Sequence, residues 1–313
     1  MALDTPVLLL VFNRPEHTQR VFQEIRKARP TRLFVSADGP RAHNASDAEN
    51  CRLTREIAGQ VDWDCSVHTN FRNENLGCRL AVHGGISWFF EQVDAGIILE
   101  DDCLPEPAFF PFCTEMLDRY AGDERVMHVS GFNPAPELCR RFESSYFFAR
   151  IPFIWGWASW SRAWKYYDPA FTGLDDMWFD RSGGLFKFLR NRAARRYVWD
   201  KFARTRAGEI NTWDFAWFFT LLKREGLCIC PSSNLVANIG FDGAATHTQS
   251  SALRYKQKTG SIRPGEWSHP AAVAPVPELD EGLFYGSQKS YLLLLLREMA
   301  ARYFYRPLPK RKQ

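Results

Sequence analysis

Apolar and amphipathic segments alternate along the first third of the chain. Short, nearly continuous apolar runs predict buried strands at residues 7–12, 33–36, 66–69 and 97–99. Between these runs, apolar residues recur at helical spacing and predict helices at residues 16–27, 48–59 and 76–92. This alternation is typical of an α/β fold with a mostly parallel sheet and helices on both faces.

Polar residues directly follow three of these strands. The strands end in Asn13-Arg14-Pro15, Asp38-Gly39-Pro40 and Glu100-Asp101-Asp102. Because the carboxyl ends of parallel strands meet at one edge of a sheet, where ligands bind, we expect these side chains to converge. Adjacent carboxylates suit a hard divalent cation that bridges a diphosphate, and an arginine suits a phosphate.

A structural explanation fits the same residues. Asn-Arg-Pro and Asp-Gly-Pro are good turn sequences. The acidic triplet could also cap a helix that the sequence predicts to begin near Pro105.

The second half of the chain is rich in aromatic residues and interrupted by prolines. After a strand predicted at residues 126–130, eight of the eleven tryptophans fall between Trp155 and Trp217. Those at positions 155, 157, 160 and 164 either fill a core or form a surface on which sugar rings stack. Under both interpretations, we expect this half of the chain to bind the acceptor, meaning the substrate that receives a transferred group.

Two later segments carry further candidate chemistry. Asp214 follows Trp213 in an aromatic setting, where burial would raise its pKa and suit a general base, although a helix start is the alternative. Residues 238–248 include Gly240, Phe241 and Gly243 and predict a mobile loop that closes over a substrate. An ordinary surface loop fits that pattern equally. By spacing alone, His83 is a partly buried helix residue.

Composition excludes several classes of protein. The chain has 313 residues, of which 45% are hydrophobic and 24% charged, and its formal charge of +4 argues against a dedicated nucleic-acid binder. Its eight cysteines lack the paired spacing of a zinc site and are predicted to be reduced thiols of a cytoplasmic protein. We expect no signal peptide and no membrane-spanning segment.

The C-terminal residues form a candidate membrane contact. Residues 291–305 predict an aromatic and leucine-rich helix, and basic residues follow at positions 306, 310, 311 and 312. Such a tail would permit peripheral contact with an anionic inner membrane, and a solvated basic end is the alternative.

In order along the chain, these motifs resemble those of GT-A-fold nucleotide-sugar glycosyltransferases. The closest resemblance is to the inverting N-acetylglucosaminyltransferase I-like family and its bacterial relatives. It covers residues 6–248 and rests on Pro6-Val7-Leu8, Arg14, Ser36-Ala37-Asp38-Gly39, His83, Glu100-Asp101-Asp102, Pro107-Ala108-Phe109-Phe110, Gly156-Trp157, Trp213-Asp214 and the glycine-containing loop. Residues 140–207 have no clear counterpart, which leaves the acceptor and the sugar open.

The resemblance implies a role for each matched residue. Asp102 would bind Mn²⁺ or Mg²⁺ directly, Asp101 would hold the ribose and Glu100 would contact the donor sugar. Arg14, Asp38 and His83 would cradle the uridine diphosphate, with Trp213 also on the donor side. Asp214 would deprotonate the acceptor hydroxyl, and the loop with Gly240, Phe241 and Gly243 would order over the donor.

The sequence therefore predicts a GT-A-type (Rossmann-like) α/β protein. Residues 1–125 would bind a nucleotide sugar, residues 126–285 would bind the acceptor, and residues 286–313 would form the amphipathic helix and basic tail. The expected function is metal-dependent, inverting transfer of a sugar from a UDP-sugar to a glycan or lipid-linked acceptor in polysaccharide or glycoconjugate assembly. The alternatives are a sugar-nucleotide pyrophosphorylase, which usually has a glycine-rich phosphate loop after its first strand, and a noncatalytic carbohydrate-binding module.

Overall fold

The computed structural model describes residues 2–140, 143–240 and 265–287. Its strands are β1 (Val7–Val11), β2 (Arg32–Ala37), β3 (Ser66–Phe71), β4 (Ala95–Glu100), β5 (Cys103–Pro105), β6 (Val126–Ser130), β7 (Tyr146–Ala149), β8 (Trp157–Trp160), β9 (Leu227–Pro231) and β10 (Val236–Asn238). Its helices are α1 (Pro15–Ala28), α2 (Asp47–Ala58), α3 (Gly77–Phe90), α4 (Phe109–Arg119), α5 (Ser161–Trp164), α6 (Leu174–Met177), α7 (Gly184–Phe188), α8 (Arg192–Arg206), α9 (Asp214–Arg224) and α10 (Pro277–Ser287), with a 3-10 turn at Pro136–Cys139.

Eight of these strands form one sheet in the order β3-β2-β1-β4-β8-β6-β9-β7. β1 pairs in parallel with both β2 and β4, β2 pairs in parallel with β3, and β6 pairs in parallel with β9. β8 and β7 run in the opposite direction. The predicted α/β class with a mostly parallel sheet is confirmed, and its strands and helices lie close to the predicted positions.

Helices cover both faces of the sheet because β1 is apolar on both sides. Val7, Leu9 and Val11 pack in one cluster with α1, α2 and α4. Leu8 and Leu10 point to the other face and pack with α3, α5 and α9. A strand with such a sequence is stable only in the middle of a two-sided sheet, and this places its carboxyl end at the centre of the ligand-binding edge.

Most of the tryptophans in the second half fill the core. Trp157, Trp160, Trp164, Trp213 and Trp217 are each 5% exposed or less. Their rings contact one another, for example Trp157 and Trp213, which stack with centroids 5.6 Å apart. These five tryptophans therefore fill a core and do not form a surface on which sugar rings could stack. Trp155 is half-buried and lines a cavity described below.

The chain after the acidic triplet differs from the prediction. Cys103–Pro105 forms the short strand β5, which pairs antiparallel with β10. The helix predicted near Pro105 begins instead at Phe109. The carboxylates at 100–102 precede the start of α4 by too many residues to cap it, so the helix-cap explanation for them is wrong.

The boundary expected near residue 125 lies within a single sheet, because β8 pairs directly with β4. All eight cysteines are free thiols, and two of them, Cys228 and Cys230, lie on β9. No helix in the part of the chain that the structure describes is long and apolar enough to cross a membrane. The predicted helix at 291–305 and the basic tail lie outside the described residues.

Candidate nucleotide-binding site

A cavity of about 510 Å³ opens at the carboxyl ends of β1, β2 and β4. The predicted site residues that line it are Arg14, Asp38, Glu100, Asp101, Asp102, Trp213, Asp214 and Gly240. A larger cavity of about 1080 Å³, beside Thr5 and Asp94, lies at the amino ends of β1 and β4 and contains none of these residues. Ligands of parallel sheets bind at the carboxyl ends, so the smaller cavity is the candidate site.

Arg14 joins the ends of β1 and β4. Its Nη2 donates to Asp101 Oδ1 in a short ion pair and to Asp102 Oδ2 at 3.0 Å. Burial alone would lower the pKa of Arg14, but the charges of Asp101 and Asp102 outweigh burial and raise it. The guanidinium therefore stays charged and holds both carboxylates at the mouth of the cavity.

Two acids of the triplet, Glu100 and Asp101, have raised pKa values. Burial, together with the neighbouring charges of Asp102 and Asp101, raises the pKa of Glu100 to about 8, although the charge of Arg14 opposes the shift. Burial also raises the pKa of Asp101, although Arg14 opposes that shift. In the ligand-free cavity this shift favours the protonated form of Glu100, which can donate a hydrogen bond.

The segment after β10 passes directly over Asp102. Ile239 N donates to the Asp102 carbonyl oxygen at 2.8 Å, and Asn238 Nδ2 approaches Asp102 Oδ1 at 3.4 Å. A Cβ at Gly240 would overlap Oδ2 of Asp102 and lie 2.9 Å from Nη1 of Arg14. Any larger residue here would require the Asp102 and Arg14 side chains to shift. Phe241 and Gly243 of the predicted mobile loop lie outside the described residues, and closure of the loop stays a prediction.

Asp38 is 8% exposed and has all its acceptor positions occupied by protein donors. Oδ1 accepts from the backbone N–H groups of Gly39 and Leu76, at 2.9 and 3.0 Å. Oδ2 accepts from Asn75 Nδ2 and from the backbone N–H of Gly77, at 2.9 and 3.0 Å. Its carboxylate thus fixes the start of α3 against the end of β2.

A second buried carboxylate, Asp47, was not predicted to belong to the site. Asp47 is 0% exposed and accepts from Asn13 Nδ2 at 2.7 Å and from Nε and Nη2 of Arg41 at 2.6 and 2.9 Å. Asn13 and Arg41 both line the cavity, and the Arg41 guanidinium lies 5.3 Å from the centroid of the Phe12 ring. The only sequence signal was an acid directly before the helix predicted at residues 48–59, a position that normally indicates a helix cap.

Asp214 also lines the cavity, at the first position of α9. Its Oδ1 accepts from Thr212 Oγ1 at 2.5 Å and from the Phe215 backbone N–H at 2.9 Å. Trp213 is 1% exposed, and its carbonyl oxygen accepts from the Tyr167 hydroxyl at 3.0 Å. The carboxylate of Asp214 is therefore held in a fixed orientation beside the cavity.

His83 is absent from the described residues that line the cavity. Its ring stacks on Tyr167, with centroids 4.7 Å apart, and burial lowers its pKa. Ala81 and Val82, just before it on α3, do face the cavity. The predicted place of His83 beside the nucleotide is thus not supported by its position, because its side chain leaves α3 toward a different neighbour.

No group of three or more His, Cys, Asp or Glu side chains is arranged to hold a metal ion among the described residues. A closed protein site is therefore not present there. The carboxylate of Asp102, which lines the cavity and contacts Arg14, fits a different arrangement. Mg²⁺-type ions are commonly held by one or two carboxylates together with the phosphates of a substrate.

Comparisons with known proteins give only distant similarity. No family model matches the chain, and no curated protein matches it. One similar solved structure is the mannosyltransferase PcManGT from Pyrobaculum calidifontis in complex with GDP-Man and Mn²⁺, at 16% identity, 51% of this chain, 45% of that chain and a TM-score of 0.34. Another is HddC from Yersinia pseudotuberculosis, at 11% identity, 40% of this chain, 57% of that chain and a TM-score of 0.26. The chain spans about half the length of these two structures, and similarity at this level carries no argument about its activity.

Proposed function

We propose that this chain is a metal-dependent, inverting glycosyltransferase that transfers a sugar from a nucleoside-diphosphate donor to a hydroxyl of a glycan or glycoconjugate. The observation that carries this proposal is a single cavity with two chemically different walls. The Arg14–Asp101–Asp102 cluster forms one wall, and Asp214 forms another. Glycosyl transfer needs both, because one group must accommodate a leaving diphosphate while another accepts the proton of the attacking hydroxyl.

The charges at the end of β4 support a metal ion. Asp101 and Asp102 both pair with Arg14, so an incoming diphosphate would meet two carboxylates that share one guanidinium. We propose that Asp102 contributes the protein ligand for Mn²⁺ or Mg²⁺. When bound, this ion offsets the charge that develops on the leaving diphosphate. Arg14 would keep Asp102 oriented toward the cavity and interact with a phosphate oxygen.

We propose that the part of the cavity lined by Phe12, Asn13 and Arg41, here called the base end, binds uracil and not guanine. Guanine presents N1–H and N2–H donors and needs acceptors, whereas uracil presents two carbonyl acceptors and one N3–H donor. The carboxylates of Asp38 and Asp47 are both saturated by protein donors. The polar groups that remain near Phe12 include the donors of Arg41 and Asn13. We therefore propose UDP as the nucleotide, with Asp38 and Asp47 as positioning residues.

Asp214 is proposed to act as the general base. Its carboxylate would take the acceptor proton while the acceptor oxygen attacks the anomeric carbon and the bond to the diphosphate breaks. One carboxylate on the face opposite the leaving group is the arrangement for direct displacement, which inverts the anomeric centre. Glu100 would contact the donor sugar, and Asp101 would hold the ribose. N-acetylglucosamine is the first donor sugar to test.

Thermal unfolding with a panel of nucleotide sugars tests the donor class, because a ligand that binds only the folded state raises the melting temperature. We expect stabilisation by UDP and UDP-sugars that requires Mn²⁺ or Mg²⁺ and is weak with GDP. Asp102→Asn should abolish the metal-dependent part. An Asp64→Asn control, at an exposed position, should behave as the unmodified protein.

Transfer assays then test the chemistry. Asp214→Asn should keep the stabilisation by UDP but lower kcat by roughly 10²- to 10⁴-fold, the usual contribution of general base catalysis. Release of pyrophosphate from a nucleoside triphosphate and a sugar phosphate would instead identify a pyrophosphorylase. Glycan binding that is indifferent to UDP and Mn²⁺ would identify a noncatalytic module. Full transfer activity in both variants would refute the residue roles.

A further inference from the structure

A further cavity, of about 220 Å³, is also lined by Asp214 and is here called the second cavity. It shares Ile154, Trp155 and Asp214 with the nucleotide cavity. Its remaining lining comes from the segment before β8, from α8 and α9, and from Phe284 of α10. Asp214 thus faces two spaces of different chemistry.

Aromatic rings dominate the second cavity. They belong to residues 132, 153, 155, 197, 215, 218 and 284. The rings support one another: Phe132 lies 4.4 Å from Trp155 and 5.8 Å from Phe153 between centroids, and Tyr197 lies 6.2 Å from Phe284. Of the described residues around this cavity, Asp214 and Lys201 alone carry charge.

The chemistry of this lining selects its ligand. Rigid aromatic rings bind flat apolar surfaces, such as the C–H face of a pyranose or the alkyl or aryl group of a glycoside. The hydroxyls at the edge of such a ligand would then lie toward Asp214. A nucleotide diphosphate would find few polar partners here, which separates this cavity from the first.

We propose that this aromatic cavity binds the acceptor, and that the acceptor is a glycoside with an apolar face or group. This inference rests on the proposed function. In the reaction, the acceptor O–H gives its proton to the Asp214 carboxylate and its oxygen forms the new bond to the anomeric carbon. The anomeric bond to the diphosphate breaks, and its electron pair leaves with UDP.

The test compares ring-removal variants with two acceptor probes, the methyl and octyl glycosides of one sugar. Tyr197→Ala and Phe215→Ala remove half-buried rings that line this cavity and not the nucleotide cavity. Each should raise the acceptor KM roughly tenfold, the factor that corresponds to a lost stacking contact of about 1.4 kcal/mol. The KM of the UDP-sugar should not change. Tyr166→Ala, an exposed tyrosine in a separate cleft, is the matched control.

The two probes distinguish which apolar group occupies the cavity. Equal KM values for the methyl and octyl glycosides would assign it to the sugar face, and a much lower KM for the octyl glycoside would assign it to the alkyl group. An unchanged acceptor KM in both folded variants would overturn the inference while UDP binding and transfer stand. If the unmodified protein neither binds UDP with Mn²⁺ nor transfers sugar, the proposed function fails and this inference fails with it.

Discussion

Asp47 gives the sharpest test of how this site is stabilised. It is 0% exposed, lies in the first turn of α2 and accepts hydrogen bonds from the Asn13 side chain and from the backbone and guanidinium of Arg41. The hydrogen bonds from the Arg41 side chain are the main reason that the pKa of Asp47 is lowered to about 2. Replacing Asp47 with Asn removes the charge while nearly preserving the volume.

The size of the effect follows from linkage. An unfolded aspartate has a pKa of 3.8, against about 2 in the fold, and each unit of difference corresponds to 1.36 kcal/mol. The ionised Asp47 therefore contributes about 2 kcal/mol to the free energy of unfolding at neutral pH. Because the folded pKa is the lower one, this contribution is complete above pH 3.8 and is lost as the pH falls toward 2. About half of it remains at pH 3.

Urea unfolding at pH 7 and pH 3 measures this contribution. Asp47→Asn should lower the free energy of unfolding by about 2 kcal/mol at pH 7 and by about half as much at pH 3. Glu49→Gln is the matched control, since Glu49 lies in the same helical turn but forms an exposed ion pair with Arg52. Such a pair contributes about 0.5 kcal/mol or less.

Two results would refute this reasoning. An equal loss in Glu49→Gln would assign the effect to the helix position instead of the buried network. A loss in Asp47→Asn of the same size at both pH values would show that the ionised carboxylate is not its source. Because Asn13 and Arg41 line the nucleotide cavity, the same variant should also raise the KM of the UDP-sugar.

Three further perturbations test other parts of the site. Gly240→Ala should displace the Asp102 carboxylate and weaken metal-dependent stabilisation by UDP, whereas Gly122→Ala, with nothing within 4 Å of its new Cβ, should leave thermal shifts unchanged. Asp38→Asn should lower the free energy of unfolding by about 3 kcal/mol, because the new amide nitrogen would face the backbone N–H donors of α3. The exposed control Asp64→Asn should have little effect in the same denaturation assay. Chelation of divalent ions should abolish the thermal shift with UDP but leave the melting temperature of the ligand-free protein unchanged, since Arg14 already pairs with the acids. Binding of UDP in the chelator would contradict the proposed role of the metal.

The convergence of the strand ends could be predicted because it depends on direction alone. Apolar runs as complete as residues 7–11 occur in central parallel strands, and parallel strands bring their carboxyl ends to one edge. Arg14, Asp38 and Asp102 therefore met in one cavity without any knowledge of their contacts. The start of the helix predicted near Pro105 was wrong, because it depended on a contact between distant parts of the chain. The pairing of β5 with β10 joins segments far apart in the chain, and no local pattern reports it.

Side-chain direction and long-range partners were beyond local patterns. His83 follows two helix residues that face the cavity, yet it stacks on Tyr167, which is far away in sequence. Asp38 is committed to the start of α3 through partners 37 to 39 residues later in the chain, apart from the adjacent Gly39. A motif can identify an acid at a strand end, but only the tertiary structure shows whether its oxygens are already occupied.

The acids at this edge of the sheet differ in how many of their oxygens already accept hydrogen bonds from the protein. This difference supports the proposed binding of a nucleoside diphosphate. The carboxylates of Asp38 and Asp47 are neutralised or saturated by the protein, so they add rigidity at the base end without demanding donors from a ligand. At the end of β4, Asp101 and Asp102 both pair with Arg14, so two carboxylates share one guanidinium there. Under the proposed function, a metal ion would offset the charge of a diphosphate that approaches these carboxylates. A rigid end with donors for the base and a carboxylate end for the metal would then lie in one cavity, because the protein saturates the acids of the first end and leaves those of the second to a ligand.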